Sequence, residues 1–329
     1  MYSSAKKTSE WGIIMLELFK TTETGEFLTV DTIEKDCWIA LTNPTREELA
    51  VVVQNTGIDV DALCAALDEE ERARIEVEDD YTMILIDSPD IEKEVVDEVE
   101  KNRYATIPLA MITAKHYIIT ICLKDSPVLQ YFKDKRLKGF YTYKKTRFIM
   151  QIFYRVATLY LHNLRVINHE SERIETKLYG APENQELIEL LELEKALVYF
   201  TTALRSNEVV FEKMLRNENI QKYPEDEELL EDVIIENKQA LEMANIYSGI
   251  LTATMETFSS IISNNQNSAM KFLATITIVM SIPTILASFY GMNVPLPGQS
   301  HPYGFLFVMS TALVLVTAIV IIFRKKALL

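Results

Sequence analysis

Cysteine is scarce in this 329-residue chain: Cys37, Cys64 and Cys122 are the only three, far apart. That excludes a disulfide-stapled secreted domain and fits a reducing compartment. The nine glycines include no Gly-x-x-x-x-Gly-Lys phosphate loop and leave little room for a dinucleotide fingerprint. Neither His-Glu-x-x-His nor Cys-x-x-Cys occurs, so zinc has no local signature and no cofactor is expected. Phosphate contact needs clustered Lys and Arg, and a net charge of −15 argues against a nucleic-acid partner. The polar segment Met1 to Trp11 lacks the apolar core of a signal peptide. The last absence is the most informative. Residues 266–329 contain no Asp or Glu, and only Lys271, Arg324, Lys325 and Lys326 are charged. Removing that +4 from the chain's −15 leaves −19 on residues 1–265. An acidic soluble part is followed by a nearly uncharged tail, which excludes a simple cytosolic enzyme.

The tail reads as a membrane hairpin. Phe272 to Tyr290 and Phe305 to Phe323 are each nineteen residues without a charge. Each makes about 28 Å of helix, close to the hydrocarbon thickness of a bilayer. Lys271 precedes the first span, Arg324-Lys325-Lys326 follow the second, and Met292 to Gly304 between them carries no formal charge. By the positive-inside rule both termini face the cytoplasm, and the expected location is the cell membrane.

The spans differ in pattern. Asn267, Met270, Ala274, Thr277, Ser281, Thr284 and Ser288 alternate at spacings of three and four, gathering small or polar side chains on one helix face. Ser310, Thr311 and Thr317 in the second span share no stripe. A continuous hydroxyl face turns away from lipid, and from the stripe alone helix–helix glue and a water-filled path are equally supported. Two spans cannot enclose a pore, so conduction requires several copies. Pro283 is expected to kink or loosen the first span, with the Ser281 and Thr284 hydroxyls helping to satisfy the freed carbonyl.

Before the hairpin, strand-like runs occur at Ile13 to Phe19, Trp38 to Leu41, Tyr81 to Ile86, Ile107 to Thr113 and Tyr117 to Cys122. Helical stretches lie between them. One starts at Thr45, with Glu48 completing a capping box, and a second is expected from about Asp59 to Glu71. From about Tyr143 the pattern becomes helical: to Leu178, then Glu183 to Asn219, then Glu225 to Tyr290. The last would reach roughly 100 Å. Its apolar positions are taken as Leu230, Val233, Ile234, Leu241, Ile246, Ile250, Phe258 and Ile262. The expected fold is an α+β membrane protein with a cytosolic α/β domain (1–140), long helices and stalk (141–265) and a two-helix hairpin (266–329). His162 and His169 are assigned no role, and the acidic run Glu76, Glu78, Asp79, Asp80 is read as solvent-facing.

The sharpest signal is Tyr290-Gly291-Met292-Asn293, closing the first span. Gly-Met-Asn at this place, a short loop after it and a basic C-terminal end resemble the CorA-type divalent metal-ion transporters. The approach Asn267-Ser268-Ala269-Met270-Lys271-Phe272-Leu273 is similar to the family's Asn-x-x-Met-Lys-x-Leu. The resemblance is strong over residues 264–304 and architectural before that. It implies a homopentamer embedded in the lipid bilayer, with the first spans lining a pore and divalent cations, Mg2+ first, as substrate. Gly291, Met292 and Asn293 would form the selectivity filter, and Met270 with Leu273 an apolar constriction. The remaining stripe residues would face the ion. Gly291 would permit the turn that ends the helix. The resemblance also implies divalent cations as regulators bound between neighbouring cytosolic domains. Counting back from the motif places Asp232 and Glu256 at acidic positions of the long helix. The family's opposing Asp falls where this chain has Ala65, so either Asp68 substitutes or that sensor is absent or altered. The outer loop Val294 to Pro302 has no acidic residue, and His301 there is the weak pointer to zinc. The expected function is channel-like uptake of hydrated divalent cations. The alternatives are a Zn2+, Co2+ or Ni2+ transporter on the same scaffold, or a membrane-anchored sensor or scaffold without transport.

Overall fold

The computed structural model describes residues 8–9, 12–13, 16–96, 99–136, 139–180, 184–217, 224–293 and 302–325. They divide into two compact units, residues 1–253 and 254–329. The readings of the outer loop at 294–301 and of Lys326 lie outside the described residues.

In the first unit, β1 (Thr8–Ser9) and β2 (Gly12–Ile13) pair as a separate ribbon. Then come β3 (Leu16–Thr21), β4 (Phe27–Thr29), β5 (Trp38–Thr42), α1 (Arg46–Thr56) and α2 (Val60–Cys64). A 3-10 turn (Ala65–Leu67) leads to β6 (Arg74–Val77), β7 (Tyr81–Val96), β8 (Val99–Ala114), β9 (Ile118–Cys122) and α3 (Pro127–Lys133). The long helices are α4 (Lys145–Gly180), α5 (Asn184–Arg216) and α6 (Pro224–Tyr290), the last continuing into the second unit, which also holds α7 (Gly304–Lys325).

Seven strands form one sheet in the order β4-β3-β5-β9-β8-β7-β6. Every pairing is antiparallel except β5 with β9. Both central strands are buried at every residue, as expected where helices cover both faces. Ile39, Leu41, Ile119 and Ile121 pack with Leu49 and Val52 of α1 and with Ala62, Leu63, Ala65 and Ala66. Trp38 points the other way, into rings of Phe19, Phe140 and Phe148, and donates from Nε1 to Thr120 Oγ1 at 2.8 Å. The aromatic cluster alone buries several side chains worth about 1.5–3 kcal/mol each.

Local chemistry sets the element ends. Thr45 Oγ1 accepts from the Glu48 amide at 3.2 Å while Glu48 Oε2 accepts from the Thr45 amide at 2.8 Å, so the expected capping box is present. Gly57 closes α1 at φ 73°, a left-handed position where a Cβ would be strained. The second expected helix is shorter than its pattern, since α2 and the 3-10 turn end at Leu67. There Asp68 is extended and its Oδ1 accepts from the Glu70 amide at 3.0 Å, a local bond that competes with further helix.

The long helices pack by side-chain seams. Asn207 on α5 replaces a strand partner: Oδ1 accepts from the Asp87 amide at 2.8 Å, and Nδ2 donates to the Asp87 carbonyl at 2.7 Å. Asp87 lies just past the last β7 residue paired with β6, Leu85. α6 runs antiparallel to α5, with Thr252 Oγ1 donating to Glu194 and Lys238 beside Glu208. The apolar face read from sequence needs correcting. Leu230 and Val233 are buried, but Ile246 and Ile250 are 59% and 50% exposed. The covered face of α6 in this unit is Asp226, Leu230, Val233, Asn237, Ala240, Ala244 and Leu251.

Candidate functional site: the hydroxyl face of α6 and its Gly-Met-Asn end

In the second unit, α6 and α7 are each long and apolar enough to cross a membrane by length and composition. The less exposed residues on one face of this stretch of α6 are Thr275, Val279, Ile282, Leu286 and Tyr290. Those on α7 include Val308, Thr311, Ala312, Val316, Ile319 and Phe323. Since α6 and α7 are the helices of this unit among the described residues, packing of one against the other accounts for the two stripes. Thr275, only 5% exposed, is the one polar residue of that stripe apart from Tyr290, and the sequence pattern did not single it out.

The small and polar stripe lies elsewhere. Asn267, Met270, Leu273, Ala274, Thr277, Thr284 and Ser288 are exposed, and only Ser281 is half-buried. At about 100° per residue, its centre is roughly 150° around the helix from the face covered by α7. Glue to the chain's own second span therefore does not account for it. Its hydroxyls are directed: Thr277 donates to the Leu273 carbonyl at 2.9 Å, Ser281 to Thr277 at 2.7 Å and Thr284 to Met280 at 3.0 Å. With their protons committed to the backbone, the oxygens keep lone pairs outward and act as acceptors. The helix continues through Pro283. The carbonyl that Pro283 frees is that of Val279, so the Ser281 and Thr284 hydroxyls do not serve it as expected but bond one turn back on themselves.

The helix ends at Tyr290. The Gly291 amide donates to the Ala287 carbonyl at 2.9 Å and the Met292 amide to the Phe289 carbonyl at 3.2 Å. Gly291 is not left-handed, so a special turn is not the reason for glycine. A Cβ there would sit 3.2 Å from the Ala287 carbonyl oxygen, and close approach is the constraint. Gly291, Met292 and Asn293 are all exposed.

The acidic residues named for regulation are not brought together within one chain. Asp68, Asp232 and Glu256 are each exposed, and no trio of His, Cys, Asp or Glu forms a metal site among the described residues. Ala65 is 8% exposed within the core under the sheet, so that position faces inward here. One convergence of carboxylates carries its own cation: Lys124 lies 2.5 Å from Glu92 and 3.7 Å from both Asp90 and Glu69. The hydrogen bond from Lys124 holds the Glu92 carboxyl below its ordinary range, and burial raises that of Asp90 against the pull of Lys124.

An α/β unit, a long helix leading out of it and two apolar spans, one with a row of acceptor oxygens, define the class: a membrane protein with a large domain outside its spans. The profile of the family described as CorA-like Mg2+ transporter protein matches residues 34–325. The chain belongs to that family: it is a divalent-cation transporter, not an enzyme. It is 28% identical over 295 residues to the cobalt/magnesium transport protein CorA of Methanocaldococcus jannaschii, covering 88% of this chain and 90% of that one. To the cobalt/magnesium transport protein CorA of Thermotoga maritima it is 22% identical over 313 residues, covering 94% and 88%. The complete structure of the CorA magnesium transporter from M. jannaschii superposes with TM-score 0.80 at 24% identity, over 95% of this chain and 98% of that one.

Proposed function

We propose that five copies assemble around their first spans and carry hydrated Mg2+ into the cytoplasm. The observation that carries this reading is the acceptor face of α6, turned away from α7 inside an apolar span. Mg2+ dehydrates reluctantly and holds its waters octahedrally. Those waters donate hydrogen bonds, so a path for the hydrated ion needs acceptors, which Thr277, Ser281 and Thr284 supply. Asn293 from each copy offers a ring of carboxamide oxygens at the outer mouth. Neutral oxygens bind weakly enough to release the ion, where carboxylates would hold it. Met270 and Leu273 close the inner end as an apolar constriction. No nucleotide is required, because a doubly charged ion gains about 4.6 kcal/mol at 100 mV.

In this reading residues 1–140 and 141–265 are cytosolic sensor and stalk, 266–329 is the pore, and the location is the plasma membrane. Lys271 and the basic residues after α7 set both termini inside. Asp232, Glu256 and Asp68 act between neighbouring copies, where a divalent cation relieves repulsion among carboxylates and favours closure. Co2+ is a second cargo reading, favoured by the cobalt/magnesium names of both relatives.

The test is uptake into proteoliposomes under an inside-negative potential. Mg2+ influx is expected, and Asn293→Ala should lose discrimination among divalents. A protein that conducts nothing is an anchored sensor, and an Asn293→Ala protein with unaltered selectivity removes that residue from the filter.

A further inference from the structure

The covered face of α6 in the first unit follows one rule: Leu230, Val233, Asn237, Ala240 and Ala244 alternate at three and four residues, and Leu251 continues a heptad later. It is a regular coiled-coil seam with two polar members, Asp226 at its start, 2% exposed and 3.7 Å from Arg147, and Asn237 in its interior. Asn237 is 1% exposed, and its Nδ2 donates to the Leu204 carbonyl of α5 at 2.9 Å. Its Oδ1 has no hydrogen-bond partner among the described residues. A carboxamide held this way costs stability relative to leucine. One turn further along α5, the fully buried Asn207 holds both backbone groups of Asp87, and Tyr160 adds a donor to the same carbonyl at 3.1 Å.

An apolar seam of repeating heptads tolerates axial slippage, because each turn presents a similar surface. A buried asparagine restricts that tolerance, since in a shifted register its Nδ2 must give up the Leu204 carbonyl and find another acceptor in good geometry. We infer that Asn237 is a positioning residue that fixes the axial register of α6 against α5, while Asn207 ties α5 to the edge of β7. Two carboxamides one turn of α5 apart thus key the sheet to the helix that becomes the first span. The register claim stands on packing alone; its consequence for transport rests on the function proposed above.

The experiment uses the full-length protein in liposomes, with Cys64→Ala removing the exposed thiol. Spin labels are placed at Arg205→Cys on α5 and Asn245→Cys on α6, and labelled copies are diluted among unlabelled ones. Native Asn237 should give one narrow distance distribution. Asn237→Leu should split or broaden it by about one helical turn, roughly 5 Å, without lowering the melting temperature. A folded Asn237→Leu protein with the single native distribution overturns the inference. If that variant does not assemble, Asn237→Ser, which keeps a donor, should retain one distribution and Asn237→Ala should not; identical distributions in the two overturn it as well. Mg2+ flux in the same vesicles separates the two readings. A slipped register should shift the Mg2+ concentration that half-closes the pore by about threefold or more. Absence of flux in the native protein sinks the transport reading while the distance result still decides the register.

Discussion

Asp87 has both backbone groups clasped by Asn207, yet its carboxyl is governed by burial, which pushes that group up to about 6 from 3.8. A carboxyl with a raised folded pKa favours the native state below its unfolded value, and that contribution is lost as pH rises through about 6. At neutral pH the charged form costs up to about 3 kcal/mol. Asp87→Asn should therefore raise the denaturation midpoint at pH 7.5 and leave it nearly unchanged at pH 4. An equal shift at both pH values would mean the carboxyl is not desolvated. None of this was legible beforehand. Asp87 and Asn207 are 120 residues apart, and one contributes only backbone to the contact, so no side-chain pattern marks the pair. Thr45 is the opposite case, because its partner Glu48 lies within one turn and the capping box could be read directly.

Among elements, α6 was the most readable and also partly misread. Its hydroxyl stripe needs only periodicity, and the helical run to Tyr290 is legible from its length and spacing although Pro283 sits inside it. The stalk seam was misassigned because Ala240, Ala244 and Asn237 are buried while the larger Ile246 and Ile250 are not; close helix packing favours small residues, and hydrophobicity alone cannot say so. The hairpin of β7 and β8 pairs sixteen residues on each side from Tyr81↔Ala114 to Val96↔Val99. Only Tyr81 to Ile86 and Ile107 to Thr113 at its open end were expected, since Glu92-Lys93-Glu94 and Glu100-Lys101-Asn102-Arg103 hide the strand period. The acceptor role of the stripe is testable at this scale. Thr277→Val and Ser281→Ala keep the helix but remove oxygens, and each should lower Mg2+ flux on the order of fivefold for about 1 kcal/mol lost. Thr317→Val on α7 is the control, because that hydroxyl belongs to no stripe. Equal losses at all three positions would point to general destabilisation of the spans.

For the molecule as a whole, large apolar side chains remain exposed on a single copy: Ile235 at 62%, Ile246 at 59% and Ile250 at 50% of α6. The proposed assembly would give them a partner. Ile246→Glu should weaken the oligomer, read as a fall in mass by light scattering in detergent, and an unchanged mass would remove this face from the interface. Regulation, in the same reading, is a property of several copies, because no acidic trio forms within one among the described residues. Asp232→Ala should raise the Mg2+ concentration that protects the cytosolic unit from protease, by roughly tenfold for the loss of one charged ligand at about 1.5 kcal/mol. An unchanged protection curve would mean Asp232 is solvated helix surface.

The sequence by itself determined the two spans, their hydroxyl stripe, the Gly-Met-Asn end and the α/β character of the first unit. Each is written in spacings of a few residues, and the bilayer and the helix repeat read such spacings directly. Tertiary structure alone decided which side of α6 meets α7, which residues form the stalk seam and where Asn207 and Asn237 spend their amides. Those outcomes depend on side-chain size and unpaired backbone groups meeting across dozens of residues, and only the folded chain brings them within reach.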